Sequence, residues 1–219
     1  MSAPFEKVSR DEFDSILSKS AASPVFRKEF ARYDPQYYEG WEGPDCMIHR
    51  GDLAMAGHFE VAFYTLIIGN LHVDGIVDLH NPYDKGFDEG GLFVVLGDVT
   101  CNAFFNEYGK CTFIDGKLEA RDLLVNAFGD SSLIVTGSLA TNFYYGRDMW
   151  VEVGGNVSME YGDGYSVPIG FEKVARQKVL PRQSVDASYA RLNLTRNDDE
   201  LRPSDFRDHL LAGKALLRP

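Results

Sequence analysis

Apolar and polar residues alternate along the middle of the chain, and a short phrase built on this alternation recurs. Each copy has an apolar residue two places before a glycine and an aliphatic residue two places after it; the first copy is weaker. The glycines of the six copies are Gly51, Gly69, Gly97, Gly116, Gly137 and Gly155. A period of two indicates β-strands.

The glycines are separated by 18, 28, 19, 21 and 18 residues. A repeat of roughly 20 residues indicates a solenoid, in which one coil cannot bury its apolar side alone. The leucine-rich repeat pattern of similar length is absent. The sequence therefore predicts a mainly β fold, a right-handed parallel β-helix of about six coils over residues 47–170.

Equivalent positions of a β-helix stack about 4.8 Å apart, so the phrase predicts ladders of buried side chains. We expect three aliphatic ladders, at two places before, two places after and four places after each glycine. The first comprises Ile67, Val95, Ile114, Val135 and Val153, the second Leu71, Val99, Leu118, Leu139 and Val157, and the third Val73, Cys101, Ala120, Thr141 and Met159. The glycines themselves are predicted at corners, where φ can be positive without a steric penalty from a Cβ atom.

The flanking residues lie outside the repeat. Residues 1–46 contain a capping box at Ser9–Glu12 and a Ser23–Pro24 helix start, which predict a helical N-terminal cap for the open end of the coil. Residues 171–219 are predicted to be a mixed C-terminal appendage with a final helix near Ser204, which either caps the last coil or packs along the solenoid.

An apolar pair follows four of the glycines: Ile76–Val77, Phe104–Phe105, Leu123–Leu124 and Tyr144–Tyr145. Neighbours on a strand point to opposite faces, so one member of each pair is expected outside. The sequence leaves open which member of each pair points outward, and the second members, Val77, Phe105, Leu124 and Tyr145, are taken as the candidate outer stripe for binding. Coverage by the C-terminal appendage or by a dimer mate is favoured over sugar binding.

The 28-residue step contains an insertion from His80 to Gly91. Solenoid insertions are extruded as loops, often on a binding face. The candidate loop residues are His80, Tyr83, Asp84, Asp88 and Glu89. Their spacing matches no zinc or calcium pattern, so we expect no metal site.

The charge, the cysteine content and the motifs of the chain reduce the number of possible functions. A net charge of −11 argues against nucleic-acid binding, and no apolar run is long enough to span a membrane. The three cysteines lack disulfide spacing and the N-terminus lacks a signal peptide, so we expect a cytoplasmic protein. No catalytic or cofactor-binding motif is present, so no cofactor is expected.

The Gly-polar-Leu phrase with coils of 18 to 21 residues resembles the bactofilin-like, polymer-forming β-helix proteins of bacteria, over residues 51–159. The resemblance implies a right-handed β-helix without catalytic function that acts as a scaffold. We expect a non-enzymatic structural or protein-interaction module of the bacterial cytoplasm, which binds a protein partner or self-associates, for instance as a homodimer. The alternative is a carbohydrate-active β-helix enzyme, a lyase or hydrolase.

Overall fold

The computed structural model describes residues 5–32, 46–80, 91–107, 110–127, 132–164, 168–170, 178–194 and 201–218. Over these residues the protein is mainly β, with 51% strand and four helices, and parallel strands stack into a β-solenoid of about five turns. The predicted β-solenoid is therefore confirmed. The number of turns is about five, against the six coils predicted.

The strands form two sheets, and inward-pointing side chains of both sheets share one interior cluster. Sheet A has the order β1-β2-β4-β6-β8-β10-β12-β14, and its strands are β1 (Glu6–Val8), β2 (Cys46–Arg50), β4 (Tyr64–Ile68), β6 (Leu92–Val95), β8 (Cys111–Ile114), β10 (Ser132–Val135), β12 (Trp150–Val153) and β14 (Ile169–Gly170). Sheet B has the order β13-β11-β9-β7-β5-β3, and its strands are β3 (Leu53–Glu60), β5 (Leu71–Asp78), β7 (Val99–Glu107), β9 (Leu118–Ala127), β11 (Leu139–Arg147) and β13 (Val157–Gly164). Each coil contributes one strand to each sheet. These strands pair in parallel, except that β1 is antiparallel to β2.

The three predicted ladders are confirmed. Ile67 pairs with Val95, Val95 with Ile114, and the series continues in register to Val153. The second and third ladders are equally continuous across sheet B. The aliphatic members of all three ladders line one interior cluster. Burial of this apolar surface, at roughly 25 cal/mol per Å², stabilises the stack of coils.

The corner glycines are required because consecutive coils approach too closely for a side chain. A Cβ atom built at Gly69 would lie 2.4 Å from the carbonyl oxygen of Gly51, and one at Gly116 would lie 2.5 Å from that of Gly97. Within the series, φ is positive at Gly51 and Gly69 alone. Positive φ therefore does not account for the other four glycines, where close backbone approach is the reason for glycine.

The residues that follow the glycines connect one coil to the next. Oδ1 of Asp52 accepts a hydrogen bond from the backbone N–H of Asn70 at 2.8 Å, Oδ1 of Asn70 accepts one from Asp98 at 2.8 Å, and Oδ1 of Asp98 accepts one from Lys117 at 2.8 Å. These side chains therefore satisfy the N–H groups that the corner would otherwise expose to water.

Helices α1 (Arg10–Lys19) and α2 (Pro24–Phe30) precede the solenoid, and helices α3 (Val185–Arg191) and α4 (Pro203–Leu211) follow it. The first two begin as predicted: the hydroxyl oxygens of Ser9 and Ser23 accept hydrogen bonds from the N–H groups three residues later. Both helices lie on the outer side of sheet A. Their side chains Phe13, Leu17 and Phe26 pack there in one cluster with Cys46, Ile48, Tyr64, Leu66, Leu92, Val94, Phe113 and Ile134.

The stacking of the corners generates a first prediction. A Gly116→Ala substitution places a Cβ atom 2.5 Å from Gly97 O and 2.6 Å from Asp98 Oδ1. The coils must move apart locally, so we expect the free energy of unfolding to fall by about 2 kcal/mol. Urea denaturation followed by circular dichroism measures the loss.

Gly170→Ala is the matched control, because a Cβ atom there meets none of the described residues within 4 Å. Equal denaturation midpoints for the two variants would contradict the steric account of the corners.

Candidate interaction surface

The predicted outer stripe is present on sheet B, and the chain's own C-terminal segment covers it. The exposed fractions of Phe105 and Tyr145 are at most 1%. They pack in one cluster with side chains from the second halves of the sheet B strands, namely Ile76, Ala103, Leu123, Val125, Ala127 and Phe143. The C-terminal segment contributes Leu192, Leu201, Phe206 and Leu216 to the same cluster. The hydroxyl of Tyr145 also donates a hydrogen bond to the carbonyl oxygen of Leu201 at 2.8 Å. The stripe is therefore an internal packing surface.

Two of the four residues assigned to the stripe lie elsewhere. Val77 and Leu124 belong to the interior cluster, together with Phe104 and Tyr144, so their predicted outward position is wrong. The outward members of these two pairs are Ile76 and Leu123.

The reason is an irregularity in the middle of the sheet B strands. Asp74 and Gly75 lie opposite the single residue Asn102, because the pairing shifts between Val73↔Cys101 and Ile76↔Ala103. The same shift recurs on the next strand, where Arg121 and Asp122 lie opposite Asn102. The residue at a fixed number of places after the glycine therefore points inward in one coil and outward in the next.

A buried ionic cluster holds α4 against sheet B. The guanidinium of Arg207 donates to both carboxylate oxygens of Asp78, at 2.9 and 3.2 Å, and to Oε2 of Glu107 at 2.7 Å. It also lies 5.0 Å above the ring centre of Phe105. Burial raises the pKa of the Glu107 carboxyl, and Arg207 opposes that rise. One arginine thus compensates two carboxylates that are each about 5% exposed.

The cluster lies where the insertion leaves the solenoid. The backbone N–H of His80 donates to Oδ1 of Asp78 at 3.0 Å, and Nδ1 of His80 lies 3.8 Å from Oε2 of Glu107. Burial lowers the pKa of the His80 imidazole, and the nearby Arg207 charge lowers it further. The other candidate loop residues, Tyr83, Asp84, Asp88 and Glu89, lie outside the described residues.

Lys110 lies beside this exit point with its side chain fully buried. Its amine donates to the carbonyl oxygens of Leu79, at 2.7 Å, and Val61, at 3.3 Å, which belong to successive coils. Burial lowers the pKa of the amine to about 7, although the charge of Asp78 acts in the opposite direction. The lysine therefore supplies donors to two corner carbonyls at the base of the insertion.

On sheet A, a second arginine pairs with two carboxylates, as Arg207 does on sheet B. Arg32, directly after α2, pairs with Glu29 and lies 3.2 Å from Oε2 of the buried Glu152 on β12. Oε1 of Glu152 accepts a hydrogen bond from the indole N–H of Trp150 at 2.8 Å. Each sheet therefore has a cover anchored by one arginine and two carboxylates.

The sequence did not identify these anchors, because Asp78 and Arg207 are 129 residues apart and belong to no motif. The chemistry of the two clusters is charge pairing. In the part of the chain that the structure describes, no group of three or more His, Cys, Asp or Glu side chains is arranged to hold a metal ion.

The first halves of the sheet B strands carry an uncovered surface, which we call the polar face. It is formed by side chains that point away from the interior ladders. Its stacked positions are Ala54, His72, Thr100, Glu119, Ala140 and Ser158. Four of these six are exposed and the other two are half-buried. These six positions of the polar face carry small and hydrophilic residues and no Phe, Tyr or Trp.

Each sheet has two terminal edges, and among the described residues three of the four are either short or bonded to a further segment of the chain. In sheet A the terminal strand β1 has three residues and the terminal strand β14 has two, and the N–H of Val179 donates to Pro168 O, just before β14, at 2.9 Å. In sheet B, the N–H groups of Arg182 and Gln183 donate to carbonyl oxygens on β13, each at 2.9 Å.

The fourth edge is β3. Among the described residues, β3 pairs with β5 alone. Its residues Ala54, Ala56, Gly57, His58 and Glu60 are exposed, and a Cβ atom built at Gly57 would meet nothing within 4 Å. The free edge of β3 and the adjoining polar face are thus the candidate interaction surface.

No protein-family model, curated protein or solved structure matches the chain. Among the described residues, no helix is long and apolar enough to cross a membrane. The geometry of the solenoid is therefore the basis for any functional proposal.

The Arg207 cluster generates a second prediction. An Arg207→Met substitution leaves Asp78 and Glu107 buried without their cation, so we expect a loss of about 3 kcal/mol in stability and undocking of α4. Undocking exposes the stripe around Phe105 and Tyr145, which increases the fluorescence of the apolar dye ANS. Arg218→Met, at an exposed position, is the control. The anchoring role is wrong if both variants bind dye equally.

Lys110 generates a prediction about pH. Its folded-state pKa of about 7 lies below the ordinary value of 10.5, so between these values the unfolded chain binds more protons. The free energy of unfolding must therefore rise with pH, by about 3 kcal/mol between pH 7 and pH 9.5. Urea denaturation at several pH values measures this slope.

A Lys110→Met substitution should remove the rise, whereas Lys214→Met, at an exposed lysine, should preserve it. A slope that persists in Lys110→Met assigns the pH dependence to another group.

Proposed function

We propose that this protein is a non-enzymatic β-solenoid module for protein–protein interaction, and that it binds a partner strand along the free edge of β3. The single observation that supports the proposal is the contrast between this edge of eight residues and the other three, which are short or bonded to a further segment of the chain. A solenoid that covers its apolar sheet faces and, among the described residues, leaves one long edge unpaired is suited to strand addition.

The hydrogen-bonding pattern of β3 favours this mode of binding. The N–H groups of Leu53 and Val61 donate towards the second coil, to Asn70 and Asp78, each at 2.8 Å. In a parallel ladder alternate residues bond to the same neighbour, so the backbone groups of residues 54, 56, 58 and 60 are directed to the free edge. An added strand gains these main-chain hydrogen bonds along eight residues of β3.

The proposal includes the finer expectations drawn from the bactofilin-like phrase. We propose a right-handed coil, a scaffolding or assembly role in the bacterial cytoplasm, and a protective role for β1, α1 and α2 at the start of the coil. The antiparallel pairing of β1 with β2 supports the last of these, because it occupies the edge of sheet A. The burial of the Cys101 thiol, which raises its pKa, supports a packing role for this cysteine.

Backbone amide exchange tests the open edge. In a dilute sample we expect the amides of Ala54, Ala56, His58 and Glu60 to exchange with solvent deuterium at least about tenfold faster than those of Met55 and Phe59, because the latter donate within the sheet. Nuclear magnetic resonance resolves the individual amides.

The corresponding amides of β7 provide an internal control, since β7 has a neighbour on each side. If the even-numbered amides of β3 are as protected as those of β7 in the dilute protein, the edge is already occupied and the proposed function fails.

A further inference from the structure

We infer that the strand bound by β3 is β3 of a second copy of this chain, so that two solenoids pair head to head about a two-fold axis. This inference rests on the proposed function and specifies its partner. It follows from which edges are open, from the residues of β3 and from the way the chain closes the neighbouring edge.

The open edges decide the symmetry of self-association. Head-to-tail stacking of solenoids requires a free edge at both ends, and the last strand of sheet B is already bonded by Arg182 and Gln183. Pro181 also packs over this end, since its side chain lies within 2.6 Å of a Cβ atom built at Gly162. Among the described residues, β3 in the first coil is the long terminal strand left for pairing, and pairing of two identical edges closes at a dimer.

The residues of β3 lack the usual protection of an edge strand. Natural edges are commonly guarded by lysine, by proline or by a short length. By contrast, β3 has eight residues, Leu53–Glu60, with neither lysine nor proline. The neighbouring edge of sheet A is guarded, because β1 has three residues and includes Lys7. The sequence therefore protects one edge of the first coil and leaves the other available.

Antiparallel pairing about Gly57 is compatible with the side chains. It places Ala56 opposite His58 of the second copy and Ala54 opposite Glu60 of the second copy. No like charges lie directly opposite one another, and each charged side chain faces an alanine, which leaves it room. The antiparallel pairing of β1 with β2 shows that the first coil already accepts a strand in this direction.

The net charge of −11 opposes self-association. At physiological salt, however, charges more than about 8 Å apart are largely screened, and Glu60 is the one carboxylate within β3 itself. An interface built on one eight-residue strand pair is small. We therefore expect a reversible dimer whose population depends on protein and salt concentration.

Light scattering coupled to size-exclusion chromatography, over a series of protein concentrations, tests the inference. The expected mass rises from 24.5 kDa towards twice that value. Ala56→Pro removes an N–H that is directed to the free edge, once in each copy, and should weaken the dimer by at least about tenfold. Ala56→Lys should also weaken the dimer, because a lysine on an edge strand disfavours pairing with another strand. This variant keeps the test valid if the proline variant does not fold.

Asn142→Lys is the control, because it adds the same charge to an exposed position of β11, far from the first coil. It should dimerise as the unmodified chain does. Filaments, or a dimer that survives both Ala56 variants, would overturn the head-to-head pairing. A monomer at every concentration would also overturn it, and if the even-numbered β3 amides then exchange rapidly, the proposed strand-binding function stands with another protein as partner.

Discussion

The close stacking of backbone at the corner glycines is the constraint on which the rest of the structure depends. A carbonyl oxygen of one coil occupies the space that a Cβ atom of the next coil would need, about 2.5 Å away. This contact fixes the register of neighbouring coils, and a fixed register places each aliphatic side chain over its equivalent. The same direct stacking leaves strand edges at both ends of the solenoid, and their treatment determines how the molecule associates.

Both sheets also present an apolar outer side, and the flanking segments bury it. Phe13, Leu17 and Phe26 cover sheet A, while Phe206 and its neighbours cover the second halves of the strands of sheet B. Each cover is anchored by one arginine, Arg32 or Arg207, between two carboxylates. Such pairs contribute chiefly by preventing an uncompensated buried charge. The apolar parts of the faces are thus covered, and among the described residues the edge of β3 is the long strand edge left unpaired.

The sequence was sufficient to predict the solenoid, its ladders and the starts of α1 and α2, because each depends on residues close together in the repeat or at a helix cap. It was insufficient for the stripe, since one extra residue in the middle of a strand, at Asp74–Gly75, reverses which neighbour faces outward. The anchors at Arg207 and Lys110 were missed because their partners come from distant coils. No local pattern records such contacts, and the burial that makes them important exists only in the folded chain.

The central claim, that the first coil is the associating end, is tested most directly by distances between spin labels in the assembled protein. A nitroxide is attached to a single cysteine at His72 on β5 or at Asn142 on β11, with the native cysteines replaced. Head-to-head pairing places the two labels at position 142 roughly 30 Å further apart than the two at position 72, because three strand spacings separate β5 from β11 in each copy. Equal distances for the two sites, or a shorter one at position 142, would contradict the account.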